Sequence, residues 1–113
     1  MPKFLALYTG SPPADGQPQG PPDDATIAKG MAAWQAWMVQ HASAVVDGGG
    51  PLGKTKKVSK AGVADTRNNA AGYVVVEAPS HEAAAKMFEG HPHFAIFPGD
   101  GVEVMPVLPS PGT

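Results

Sequence analysis

The sequence predicts an α+β domain in which two β-α-β units flank an exposed ribbon. Three observations carry that reading. Four short β-type runs are bounded by glycine or proline, two stretches behind capping side chains have helical apolar spacing, and a polar lysine-rich segment separates the halves. The order β-α-β, ribbon, β-α-β is the split ferredoxin-like pattern.

Lys3 to Tyr8 is apolar and ends before Gly10, so it reads as a central strand. Residues 10–22 hold five prolines and three glycines, which excludes a helix or a sheet interior and predicts an exposed loop. Asp23 and Asp24 then supply cap carboxylates for a helix reaching about His41. Its expected apolar stripe is Ile27, Met31, Trp34 and Met38, widened by Ala33 and Trp37.

Ala44 to Gly48 reads as a short second strand, and Lys54 to Val63 as a polar ribbon or flap. Gly72 to Glu77 is β-branched and aromatic, a further central strand. Ser80 caps a second helix whose apolar face is Ala83, Ala84, Met87 and Phe88, and Gly90 with Pro92 ends it. Val102 to Val107 is the last strand, followed by a Pro/Ser/Gly tail over 108–113 expected to be flexible.

A length of 113 residues suits one domain, 1–113, with a modest core. The chain has no cysteine, which excludes a disulfide framework, a thiolate metal site and a cysteine nucleophile. Its apolar runs are too short for a membrane span and no signal-peptide core follows Met1, so a soluble, cytoplasmic protein is expected. A net charge of −2 argues against nucleic acid as a partner. Because both helices of this pattern cover one sheet face, the other must find an apolar partner, and a homodimer is expected.

The segment from His91 to Asp100 carries the strongest chemical signal. It places His91, His93 and Asp100 in a Gly/Pro-punctuated connection ahead of a strand. An imidazole titrates near neutrality, and a carboxylate folded against it would fix its tautomer and raise its basicity. Either His91 or His93 is the candidate base, with Asp100 as its orienter. The same residues also suit metal ligation, but Pro92 constrains the His-x-His geometry and no third histidine has a metal-like spacing, so no metal is assigned.

His41 and His81 sit at helix ends, where a histidine needs no chemical role. Trp34 and Trp37 read first as core, with one of them available to wall an apolar pocket; Tyr8 and Thr9 can add polar atoms to the same cleft. Gly48 to Thr55 superficially matches a phosphate loop ending in Gly-Lys-Thr, yet no helical pattern follows Thr55, and a tight turn explains the glycines. Lys54, Lys56, Lys57 and Lys60 lack interleaved aromatics, so a solvated face is the default, with Lys54 or Lys56 available to an anionic small ligand.

His91-Pro92-His93-Phe94, the following Gly99-Asp100, and the strand Val102-Glu103-Val104-Met105-Pro106-Val107 resemble the YCII-related family, in particular its DGPF-type branch. Asp47-Gly48-Gly49-Gly50-Pro51-Leu52 resembles the element that names that branch, with extra glycines and Leu52 in place of Phe. The resemblance implies a dimeric α/β barrel with a cleft in each subunit and cofactor-independent proton chemistry, lyase-like or isomerising, on a small cyclic or aromatic acid. It also implies an alternative: a non-catalytic sensing module linked to sigma-factor-dependent transcription. The YCII-type His-Asp pair does not carry over. The first helix here has no histidine at Met31 to Trp37, and His91-Pro92-His93 stands where Asp-Pro-Tyr is usual.

Overall fold

The computed structural model describes residues 1–10 and 23–109, so the expected 10–22 loop, beyond Gly10, and the end of the tail lie outside the described residues. The elements run β1 (Lys3–Gly10), α1 (Asp24–Gln40), β2 (Val45–Pro51), β3 (Thr55–Ser59), β4 (Gly62–Thr66), β5 (Ala70–Glu77), α2 (His81–Lys86), α3 (Pro92–Ala95) and β6 (Gly99–Pro106). Strands pair in the order β2-β5-β1-β6, every pair antiparallel, while β3 and β4 form a separate two-stranded ribbon. This is the α+β ferredoxin-like arrangement that the sequence predicts.

Alternation along the central strands sets the layers. Phe4, Ala6 and Tyr8 of β1 and Gly72, Val74 and Val76 of β5 are buried on one face, where Trp37 of α1 and Ala84 of α2 pack with Phe88. Burying a valine such as Val74 or Val76 completely contributes about 1.5–3 kcal/mol. The register pairs Leu5 with Val75 and Met105 on the opposite face, and these three remain half-buried.

Both predicted caps form. The Asp23 carboxylate accepts from the Thr26 N–H at 2.7 Å, which holds that carboxyl below its usual range, and Ser80 Oγ accepts from the Ala83 N–H at 3.0 Å. The buried face of α1 is rotated from the expected stripe. Thr26, Gly30, Ala33, Trp34, Trp37 and Met38 turn inward, whereas Ile27 and Met31 are 38% and 58% exposed. Gly30 is the reason: the Phe97 ring occupies the space a Cβ there would need, and a hydropathy pattern gives a glycine no weight.

The glycine run after β2 enters the strand itself. Gly49 has φ 63°, and a Cβ there would collide with the Tyr73 carbonyl, so close strand approach explains it; β3, not a helix, follows at Thr55. The ribbon is longer than expected, and every one of its ten strand residues except Thr55 is exposed. Among the described residues no helix is long and apolar enough to cross a membrane.

Candidate functional site

The segment from Gly90 to Asp100 is not an irregular loop. Gly90, at φ 68°, turns the chain out of the region after α2, and Pro92 opens α3 at a position where its fixed φ suits a helix and its missing N–H costs nothing. His91 is the cap: its Nδ1 accepts the His93 backbone N–H at 3.0 Å, the task serine or aspartate usually performs. This short helix delivers two imidazoles beneath β1 and α1.

His91 is fully buried. Trp34 meets it edge-on with centroids 4.6 Å apart, Trp37 lies at 5.0 Å, Tyr8 at 5.1 Å and Phe88 at 5.8 Å. Burial pushes its imidazole down to about 4, and the nearby His93 and His41 push the same way. The sequence-based expectation of a basicity raised by a carboxylate is therefore reversed for His91. Tyr8 places its hydroxyl 3.4 Å from His91 Nε2, and burial pushes that phenol up to about 12.

His93 is held differently. Its Nε2 lies 2.8 Å from the Thr9 carbonyl, which only accepts, so the hydrogen is assigned to Nε2 and the lone pair to Nδ1. Among the described residues nothing bonds Nδ1, which leaves that nitrogen as the acceptor His93 can offer a ligand. Gly99 makes room for the ring, since a Cβ there would overlap it.

Beside His93 lies a cleft of about 400 Å³, walled by Tyr8, Met31, Trp34, Tyr73 and Phe97 and by the glycine-rich edge of β2 and β5, namely Gly48, Gly50, Pro51, Ala71 and Gly72. Its size and largely apolar lining with few polar groups are those of a small-molecule site. Trp34 also touches Tyr8, with centroids 4.9 Å apart, and Phe97, at 6.2 Å.

The structure brings His91, His93, Tyr8 and Trp34 together and leaves the other expected residues elsewhere. Asp100 accepts from the Thr9 hydroxyl at 3.3 Å and lines a different, more open hollow with Glu89, Phe94 and Gly101. Among the described residues no carboxylate pairs with either histidine; the Thr9 carbonyl supplies the orientation expected of Asp100. Trp37 is core, its indole N–H donating to the Met87 carbonyl at 2.8 Å. Lys54 and Lys56 do not line the cleft, and Lys56 pairs with Asp65 at 2.6 Å on the ribbon. The sequence did not mark Met31, Tyr73 and Phe97 as cleft residues, although Phe97 lies within the segment singled out there. Among the described residues no three His, Asp or Glu side chains converge to hold a metal ion.

No family model and no curated protein matches this chain. Among solved structures the fold is similar to that of the 5-chloro-2-hydroxyhydroquinone dehydrochlorinase of Burkholderia phenoliruptrix, determined with 2,5-dihydroxybenzoquinone. The TM-score is 0.54 and the identity 16%, over 91% of this chain and 90% of that one. The likeness establishes the shared α+β fold.

Proposed function

We propose that this chain belongs to the YCII-related family, in its DGPF-type branch, and that it binds a small hydroxylated ring in the cleft and moves a proton on it through His93. The observation that carries the reading is an imidazole fixed by the Thr9 carbonyl, with its second nitrogen unclaimed among the described residues, at the wall of a 400 Å³ aromatic cleft. A proton leaves a ring hydroxyl for Nδ1, and the same proton returns to a ring carbon. The neighbour's name and its bound dihydroxybenzoquinone support a planar oxygenated ring as the ligand class.

The lining refines the acid suggested by the sequence. Lys and Arg are missing from it among the described residues, so a carboxylate on the ring would lose its hydration without gaining a cation. A ring without a carboxylate fits better. Hydroquinone and 2,5-dihydroxybenzoate, titrated against tryptophan fluorescence, test this: hydroquinone binds the tighter of the two. In D2O the protein accelerates exchange of hydroquinone ring hydrogens, and His93→Ala abolishes that acceleration. Failure of both rings to bind saturably, with no exchange, would overturn the proposal.

The same reading takes residues 1–113 as one cytoplasmic domain that works as a homodimer. The half-buried Leu5, Leu7, Val75 and Met105 on the sheet face without helices support this. So does charge segregation: residues 54–67 hold five cations and one carboxylate, leaving three cations against nine carboxylates in the rest of the chain. Sedimentation at micromolar concentration is expected to give twice the 11.6 kDa chain mass, with dissociation favoured by salt.

A further inference from the structure

Resting on that reading of the cleft, we propose that Tyr8 is the donor to the ring oxygen on which negative charge develops, and that His91 is the positioning residue that turns the Tyr8 hydroxyl hydrogen toward the ligand. The hydrogens on His91 fix the direction of its bond to Tyr8. His91 Nδ1 accepts the His93 backbone N–H at 3.0 Å, so it carries no hydrogen. An imidazole with a bare Nδ1 is neutral only if Nε2 bears the hydrogen. That Nε2 lies 3.4 Å from Tyr8 Oη, so the imidazole donates and the phenol oxygen accepts. The opposite direction would require an imidazolate.

The phenol's own hydrogen is consequently directed away from His91, and it has no acceptor among the described residues. Tyr8 is also a wall of the cleft, its ring centroid 5.2 Å from that of His93. Tyr8 and His93 both line the cleft, so the pair can offer a ligand there an acceptor, His93 Nδ1, and a donor, the Tyr8 hydroxyl. Such a pair matches a ring that loses a proton at one oxygen and accumulates charge over its conjugated oxygens.

The surroundings hold this arrangement in place. The titratable groups facing His91 are Tyr8 from β1, His93 from α3 and His41 at the end of α1, and the rest of its shell is Trp34, Trp37 and Phe88. With His91 neutral down to about 4 and Tyr8 protonated up to about 12, the direction of the bond does not change across the neutral range.

The test has a part without ligand and a part with it. Nitrogen NMR of histidine-labelled protein at pH 7 is expected to show His91 as the Nε2–H tautomer, in wild type and in Tyr8→Phe. Tyr8→Phe should weaken hydroquinone binding about 3- to 10-fold and slow ring exchange roughly 100-fold. His91→Phe, which keeps the ring's bulk but not its hydrogen bonds, should slow exchange as well, and the double variant should be no slower than Tyr8→Phe alone. An Nδ1–H or doubly protonated His91, or full additivity in the double variant, overturns the proposal while hydroquinone binding by wild type leaves the reading of the cleft standing. Absence of wild-type binding overturns that reading, and the role of Tyr8 with it.

Discussion

Thr9 separates two hollows that draw their polar groups from one stretch of sequence. On one side its carbonyl fixes His93 at the wall of an aromatic cleft; on the other its hydroxyl donates to Asp100 at the edge of an open hollow. On the imidazole side both histidines are buried and packed ring against ring, so each hydrogen bond there fixes a tautomer or a direction. On the carboxylate side Asp100 is exposed, where a charge needs no partner and orients little. A His and an Asp seven residues apart are therefore separated by a strand backbone, and the backbone carbonyl does the orienting.

Four measurements probe that contrast. The largest effect expected is at acid pH. His91 is lowered from 6.5 to about 4 in the folded state, so between those values the unfolded chain binds more protons and stability falls as pH falls. The contribution is complete above pH 6.5, and about 2–3 kcal/mol of it is gone by pH 4. Denaturant unfolding from pH 7 to 4 measures it, and His91→Phe should flatten the slope. A wild-type slope that remains in His91→Phe would place the titrating group elsewhere.

Next comes a pair of glycines, Gly99 packed against His93 and Gly101 lining the open hollow. A Cβ at Gly99 would overlap His93, whereas one at Gly101 meets nothing within 4 Å. Gly99→Ala is expected to cost about 1–3 kcal/mol and to disturb the His93 resonances, while Gly101→Ala stays within about 0.5 kcal/mol of wild type. Equal melting temperatures for the two would contradict the tight packing assigned to the cleft side.

Thr9→Val removes the hydroxyl that donates to Asp100 and to the Gly101 carbonyl at 3.1 Å, and leaves the backbone carbonyl in place. It should cost about 1 kcal/mol in chemical denaturation without altering the His93 tautomer. Smallest is Asp100→Asn. Because Asp100 is exposed and bonds only to Thr9 among the described residues, this change should leave the tautomers of both imidazoles as in wild type and stability within about 0.5 kcal/mol. A changed His93 tautomer by nitrogen NMR would restore Asp100 as the orienter.

How legible was this molecule in its sequence? Alternation in Lys3 to Tyr8 and Gly72 to Glu77 located the central strands, and Asp23 and Ser80 located both helix starts, because period and caps are local properties. The inward face of α1 was misplaced by a fraction of a turn, since Gly30 has no hydropathy to signal that Phe97 fills its place. The segment from His91 to Asp100 was legible as a site in composition but not in form: α3 exists because a histidine ring caps it, a role no propensity scale assigns.

The sequence by itself determined the order of the main strands and of the two longer helices, and the chemistry available in the segment from His91 to Asp100. Only the tertiary structure decided which polar group meets which. Hydrogen-bond partners such as Tyr8 with His91, or Thr9 with His93, lie more than 80 residues apart and follow from strand register and from the space that glycines leave. Spacing along the chain carries no information about either.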